Sequence, residues 1–189
     1  MIPASYEDKA HIINILCNAF DNNISVNYVI KNDVNRLKRI KSLMDYSFEL
    51  CFKFGKIWLS DCGSGCAMVI YPDEKKFNIS TLLLDLKLAK DAIGLFRLPK
   101  IIKRESQIKA LYPSKKITYL WFLGVETAKQ KNGVGSLLLE QLIGNDSNLR
   151  GPLYLETSNE ANVHFYQKAG FQLYQKLDVG YTLYCFKYG

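Results

Sequence analysis

The sequence predicts a mixed α/β fold in a single domain spanning residues 1–189. Two observations carry this. Helical periodicities alternate with short strand-like runs along the whole chain. One of those runs, Ile117 to Val125, is nearly all apolar, rich in β-branched and aromatic residues and bounded by turns, as a buried central strand would be. The composition agrees: 189 residues, 48% hydrophobic and 23% charged, suffice for one sizeable core and carry no signature of disorder.

Taken in order, Tyr6 to Phe20 reads as an amphipathic helix. Ser5 stands as N-cap, with Asp8 three residues on, and Ile12, Ile13, Leu16 and Phe20 recur at helical spacing. Val34 to Phe54 reads as a second helix, stopped by Gly55. Lys56 to Ser60 and Cys66 to Tyr71 read as a strand pair around the loop Asp61 to Gly65. From Leu82 to Phe96, the residues Leu82, Leu86, Ala89, Ile93 and Phe96 fall on one helical face, the expected inner one. Pro99 breaks that pattern, and a basic helix follows to Leu111, with a turn at Tyr112-Pro113-Ser114. After the central strand, Gly133 to Ile143 is a helix with Val134, Leu137, Leu138 and Leu142 inward. Leu153 to Thr157 is a strand, Asn159 to Ala169 a helix, and Phe171 to Lys176 and Tyr181 to Tyr188 are closing strands.

The formal net charge is +7, and nine basic residues against two acidic ones between Lys87 and Lys116 account for it. Such a stretch suits an anionic partner, or is simply a solvated helical face. The N-terminus has neither a basic nor a long apolar region, so no secretory signal is expected, and the apolar runs are too short to span a bilayer. Five cysteines without such a signal point to free thiols in a reducing, cytoplasmic setting. Cys62 and Cys66 form a CxxxC with no second pair, so no metal site is expected.

Two motifs carry chemistry. In the first, the central strand leads through Leu123-Gly124-Val125 and a loop into Gln130-Lys131-Asn132-Gly133-Val134-Gly135-Ser136, where Gly-x-Gly opens a helix. Glycines there let the backbone approach a ligand, and the free N–H groups of a first helical turn suit a pyrophosphate. The Gly-Lys-Ser/Thr of a nucleotide-binding P-loop and the third glycine of a dinucleotide fingerprint are both absent. In the second motif, Asn159, Asn162 and Tyr166 stand at i, i+3 and i+7 on one helical face. Ala161, Phe165 and Ala169 form another face, suited to packing on the sheet.

The two motifs, in this order and spacing, resemble those of the GNAT acetyltransferases over about residues 117 to 175. The first matches their Gln/Arg-x-x-Gly-x-Gly/Ala loop, and the Asn159 to Tyr166 helix, ending in Ala169-Gly170-Phe171, matches their second CoA motif. The long helical stretch before Tyr112 looks like an insert-bearing bacterial and fungal subgroup with unassigned acceptors. The resemblance implies a mixed, mostly antiparallel sheet flanked by helices, with a helical insert before the acyl-CoA-binding strand.

It also implies roles. Leu123, Gly124 and Val125 would pair with the pantetheine arm of acetyl-CoA, admitted where the fourth and fifth strands splay. Gln130, Lys131, Asn132, Gly133, Val134, Gly135 and Ser136 would cradle the pyrophosphate. Asn159 and Asn162 would contact the pantetheine, and Tyr166 would protonate the leaving thiolate as general acid. The chain departs from the family pattern with Lys131-Asn132 before Gly133, with Asn162 in place of alanine, and with Glu126-Thr127 before the loop.

An ammonium acceptor must lose a proton before it attacks. Glu156 is the candidate base, on the strand beside the acyl-binding one, with Tyr119 and Glu126 as weaker candidates. His164, two residues from Tyr166 on a helix, points away from it. Asn27, Tyr28, Tyr46 and Trp121 are candidate acceptor-groove residues. The expected activity is acetyl transfer to a primary amine of a small molecule or peptide, with no metal and no membrane partner. The competing reading is a catalytically silent CoA-binding module whose basic insert docks on RNA or an acidic protein.

Overall fold

The computed structural model describes residues 1–112, 116–145 and 149–189. The strands are Ile2–Pro3 (β1), Gly55–Leu59 (β2), Gly65–Ile70 (β3), Thr118–Val125 (β4), Leu153–Thr157 (β5), Gln172–Asp178 (β6) and Thr182–Tyr188 (β7). They form one seven-stranded sheet in the order β1-β2-β3-β4-β5-β7-β6. Only β4 and β5 run parallel; every other neighbouring pair is antiparallel. The helices are Lys9–Ala19 (α1), Ile24–Val29 (α2), Arg36–Phe54 (α3), Ile79–Leu88 (α4), Leu98–Lys109 (α5), Val134–Ile143 (α6) and Ala161–Lys168 (α7).

The sheet is covered on both faces, and β3 shows why. All six of its residues are buried. Cys66, Met68 and Ile70 join the core that α1 and α3 cover, with Leu16, Met44 and Phe48. Ala67 and Val69 join the opposite core, with Leu139, Leu142, Leu155 and Phe186. Strand alternation delivers one apolar row to each side. Each fully buried side chain of this size contributes about 1.5–3 kcal/mol.

The Ser5–Asp8 signal opens a 3₁₀ turn at Tyr6–Asp8, which runs directly into α1. The Asp8 carboxylate accepts from the Ser5 N–H at 2.8 Å and from the Ser5 hydroxyl at 2.9 Å. At Gly55 a Cβ would lie 1.9 Å from the Val69 carbonyl oxygen, so α3 can feed directly into the ladder only through glycine. The short α2 escapes a periodicity reading because six residues complete fewer than two turns. Its signal is Asn23, whose Oδ1 accepts from the Val26 N–H at 3.0 Å.

Three expected faces are corrected. The helix expected from Leu82 to Phe96 is α4 followed by a π-turn at Ala89–Ile93 and a 3₁₀ turn at Leu95–Arg97. The wider turn shifts the phase of the face that follows it, by about 100° for each residue added. Ala89 and Ile93 are therefore buried, whereas Leu82, Leu86 and Phe96 are exposed. In α6, Leu138, Leu139 and Leu142 are buried and Leu137 is not. In α7 the fully buried residue is Tyr166; of the expected Ala161–Phe165–Ala169 face, Phe165 and Ala169 pack half-buried on the core and Ala161 is exposed. The expected turn at 113–114 lies outside the described residues. Among the described residues no helix is long and apolar enough to cross a membrane.

Candidate active site

Strands β4 and β5 pair at two positions only, Thr118 with Leu153 and Tyr119 with Tyr154. Beyond them β4 stays bound to β3 as far as Val125, and β5 stays bound to β7 as far as Thr157. The two strands part while each keeps its outer partner, which opens a wedge in the middle of the sheet. Backbone groups on such inner edges are free to bind an extended ligand.

A cavity of about 510 Å³ lies at this wedge, with Glu156, Tyr119, Tyr166, Asn162, Arg104 and Trp121 in its wall. Glu156 comes from β5. Its Oε1 accepts from the Tyr112 phenol at 2.5 Å and its Oε2 from the Tyr119 phenol at 2.6 Å. Burial pushes its pKa above the ordinary carboxylate value, and the two phenols and the nearby Arg104 cation offset only part of that rise. A carboxylate of raised pKa facing a cavity is suited to take a proton near neutral pH.

Arg104 is 8% exposed. It donates to the Tyr181 phenol at 2.9 Å, to the Ser25 hydroxyl at 2.6 Å and to Glu105. One guanidinium thus ties α5 to α2 and to the turn between β6 and β7.

Tyr166 is buried, with its ring against Phe165, Phe171 and Phe186. Its hydroxyl has no hydrogen-bond partner among the described residues. Burial alone holds its pKa above that of a free phenol, so it keeps its proton until a strong base appears. Asn162, one turn earlier, donates from Nδ2 to Thr157 Oγ1 at 3.4 Å. Asn159 lies outside the cavity wall and is exposed; its Oδ1 accepts from the Ala161 N–H at 3.1 Å and so starts the helix. The expected trio is therefore split between helix start and cavity.

At the far end of β4 the chain turns into α6. Lys131 has φ +65° and Gly133 φ +82°, two left-handed residues in three. Gly133 is the N-cap and has no side chain to offer, so the first N–H groups of α6 stay open to a ligand. A Cβ on Gly135 would meet nothing closer than Val125 Cγ2 at 3.6 Å, ordinary contact. The packing of the protein itself does not demand glycine there. A Cβ on Gly65 would lie 2.9 Å from Val134 Cγ1 and 3.0 Å from Leu138 Cδ1, which shows how tightly α6 sits on β3. Gln130 Nε2 donates to the Val125 carbonyl at 3.2 Å, while Lys131, Asn132 and Ser136 are exposed.

Of the other candidates, Leu123, Tyr46 and Trp121 line the cavity, and the Tyr46 phenol donates to Asp85 at 2.6 Å. Asn27 and Tyr28 line a separate open cleft of about 590 Å³. Glu126 and His164 are in neither wall. Sequence reasoning missed Arg104 and Tyr112. Arg104 left a signal, since it shares a helical face with the buried Ile101 and Ile108. Tyr112 precedes a turn and left none.

Residues 100–173 match the family described as Acetyltransferase (GNAT) domain. The fold is similar to that of a Corynebacterium glutamicum protein described as histone acetyltransferase HPA2 and related acetyltransferase, with 20% identity and TM-score 0.70 over 98% of this chain and 93% of that one. It is similar to an N-acetyltransferase from Staphylococcus aureus, with 12% identity and TM-score 0.58 over 99% and 98% of the two chains. It is also similar to mosquito arylalkylamine N-acetyltransferase like 5b, with 11% identity and TM-score 0.55 over 99% and 97%. Residues 100–173 thus match a GNAT acetyltransferase domain, and the whole chain shares its fold with these acetyltransferases.

Proposed function

We propose that the protein transfers an acetyl group from acetyl-CoA to a primary amine by direct attack in a ternary complex. The observation that carries this is that a half-buried carboxylate of raised pKa and a buried phenol with no partner among the described residues, Glu156 and Tyr166, line one cavity at the β4–β5 wedge.

Acetyl-CoA, when bound, supplies the activated acyl thioester. The open N–H groups at the start of α6, between Gly133 and Ser136, suit its pyrophosphate, and the free inner edge of β4 at Leu123 to Val125 suits its pantetheine. Asn162 stands in the cavity wall where that arm would pass. Glu156 takes a proton from the acceptor ammonium, directly or through water. The freed nitrogen attacks the thioester carbonyl, and Tyr166 gives its proton to the departing sulfur. Direct transfer needs no cysteine nucleophile. The five free cysteines fit a cytoplasmic setting. A silent CoA-binding module would have no use for the pairing of Glu156 with Tyr166 across one cavity.

The test is thiol release from acetyl-CoA across a panel of small amines and peptides. Turnover with at least one amine, lost in both Glu156→Gln and Tyr166→Phe, is the expected result. No turnover with any amine, or turnover indifferent to both substitutions, overturns the proposal.

A further inference from the structure

The π-turn that ends α4 leaves an apolar stripe with nothing on it. Ile79, Leu82, Leu83 and Leu86 stand at i, i+3, i+4 and i+7, one face of the helix, and are 78%, 40%, 60% and 57% exposed. Phe77 just before the helix and Leu95 and Phe96 just after the π-turn are exposed as well. The opposite side of α4 is satisfied: Thr81 is buried, and Leu84 and Leu88 pack on the core. Exposed apolar rows of this kind mark surfaces that meet a partner.

The charges around the stripe say which partner. Between Lys75 and Lys103 every exposed charged residue is a lysine: Lys75, Lys76, Lys87, Lys90, Lys100 and Lys103. Two of them are paired: Lys75 with Asp85 at 3.7 Å, a carboxylate that also accepts from the Tyr46 phenol, and Lys87 with Asp45 at 2.9 Å; Lys76, Lys90, Lys100 and Lys103 are in none of the described ion pairs. We propose that α4 and the Leu95–Phe96 turn form a docking surface for an anionic lipid bilayer. Leucine, isoleucine and phenylalanine side chains enter the interface, and lysines meet the headgroup charge.

Two other occupants fit less well. A second copy related by two-fold symmetry would set the same lysine-rich surface against itself, with Asp85 and Asp45 already engaged by Lys75 and Lys87 of their own chain and the other four lysines left unanswered. A nucleic acid would answer the lysines but leave the row of aliphatic side chains in water. An anionic bilayer satisfies both features. The expectation of no membrane partner rested on the lack of a spanning segment, which says nothing about surface docking. Pro72 and Lys75, just ahead of α4, and Leu88 at its end belong to the wall of the 510 Å³ cavity, so the docking surface and the cavity share one element.

Vesicle flotation of the full chain tests this. Phosphatidylcholine vesicles containing phosphatidylglycerol are compared with pure phosphatidylcholine vesicles. The chain should float with the anionic vesicles, not the neutral ones, and less at high salt. Leu83→Glu/Leu86→Glu and Lys76→Glu/Lys90→Glu should each weaken binding by at least about tenfold, at about fivefold per lysine neutralised. Both variants should keep the wild-type melting temperature, because the altered side chains are exposed. No flotation, equal flotation on both vesicle types, or binding unchanged in both variants overturns the proposal. So does a dimer in solution that Leu83→Glu/Leu86→Glu converts to monomer, which would assign the stripe to a second copy. RNA retention lost in Lys76→Glu/Lys90→Glu, without anionic flotation, would assign the surface to nucleic acid.

Discussion

The phenol of Tyr119 on β4 donates to Glu156 Oε2 on β5 across 2.6 Å, spanning the place where the two strands stop pairing. The bond closes the base of the wedge and favours the charged form of the carboxylate against the effect of burial. Removing it in Tyr119→Phe leaves burial less opposed, so the pKa of Glu156 rises further. If Glu156 is the base, activity needs its charged form, and the acidic limb of kcat/KM against pH moves to higher pH. A limb that stays in place would show that another group takes the proton.

Glu156→Gln should separate activity from stability. The pKa of Glu156 is raised on folding, so its contribution to stability is present at low pH and lost as the pH rises through the folded value. Near neutral pH the wild type therefore carries the cost of a buried charge. Glu156→Gln is expected to melt higher at neutral pH, with the gain shrinking on acidification, while kcat/KM falls by about 10²–10⁴. Melting scans across pH beside the thiol-release assay read both effects.

Tyr166→Phe removes a hydroxyl that bonds to nothing among the described residues, so stability should change by less than about 0.5 kcal/mol. The expected loss is in kcat, about a hundredfold, from the missing acid. Equal losses of stability and activity would mean the phenol serves packing instead.

The fold was legible wherever a period was long or an all-apolar run was short. The β5 boundaries were read residue for residue, and α3 and β4 were read to within two residues, because burial there imposes a clean pattern. The misreading on α4 comes from a break in phase that composition does not announce. The π-turn at Ala89–Ile93 looks like continuous helix, and so Leu82 and Leu86 were taken for core. Of the candidate site, the open helix start at Gly133 was legible in its backbone motif, and the place of Glu156 in the cavity wall in its strand register. Tyr112 and Arg104 reach it from a turn and from α5, which only the tertiary fold brings together.

Lys131 has φ +65°, where a side chain costs about 1 kcal/mol relative to glycine. Lys131→Gly should therefore raise the stability of the unliganded protein by up to about 1 kcal/mol, measured by urea unfolding. A loss of stability would mean that the lysine side chain repays its strain through contacts.

Cys62 is exposed, and hydrogen bonds with Ser60 and Ser64 lower its pKa to about 7. Burial pushes Cys66 and Cys185 up to about 12. Alkylation of the folded protein should therefore begin at Cys62, with a rate half-maximal near pH 7. Peptide mapping after a short iodoacetamide pulse checks the order.

The most direct test of the account is calorimetric titration of acetyl-CoA into wild type and Gly135→Glu, with urea unfolding of both unliganded proteins. A Cβ at 135 meets only ordinary contact with Val125, and a carboxylate in the first turn of α6 suits the helix dipole, so the unliganded variant should be about as stable as wild type. Wild type should bind saturably, and the variant at least about tenfold more weakly, because the added carboxylate occupies and repels at the helix start that suits the pyrophosphate. Equal affinity in the two proteins, or no binding by wild type, would contradict the assignment of the Gly133–Ser136 turn as the acetyl-CoA site.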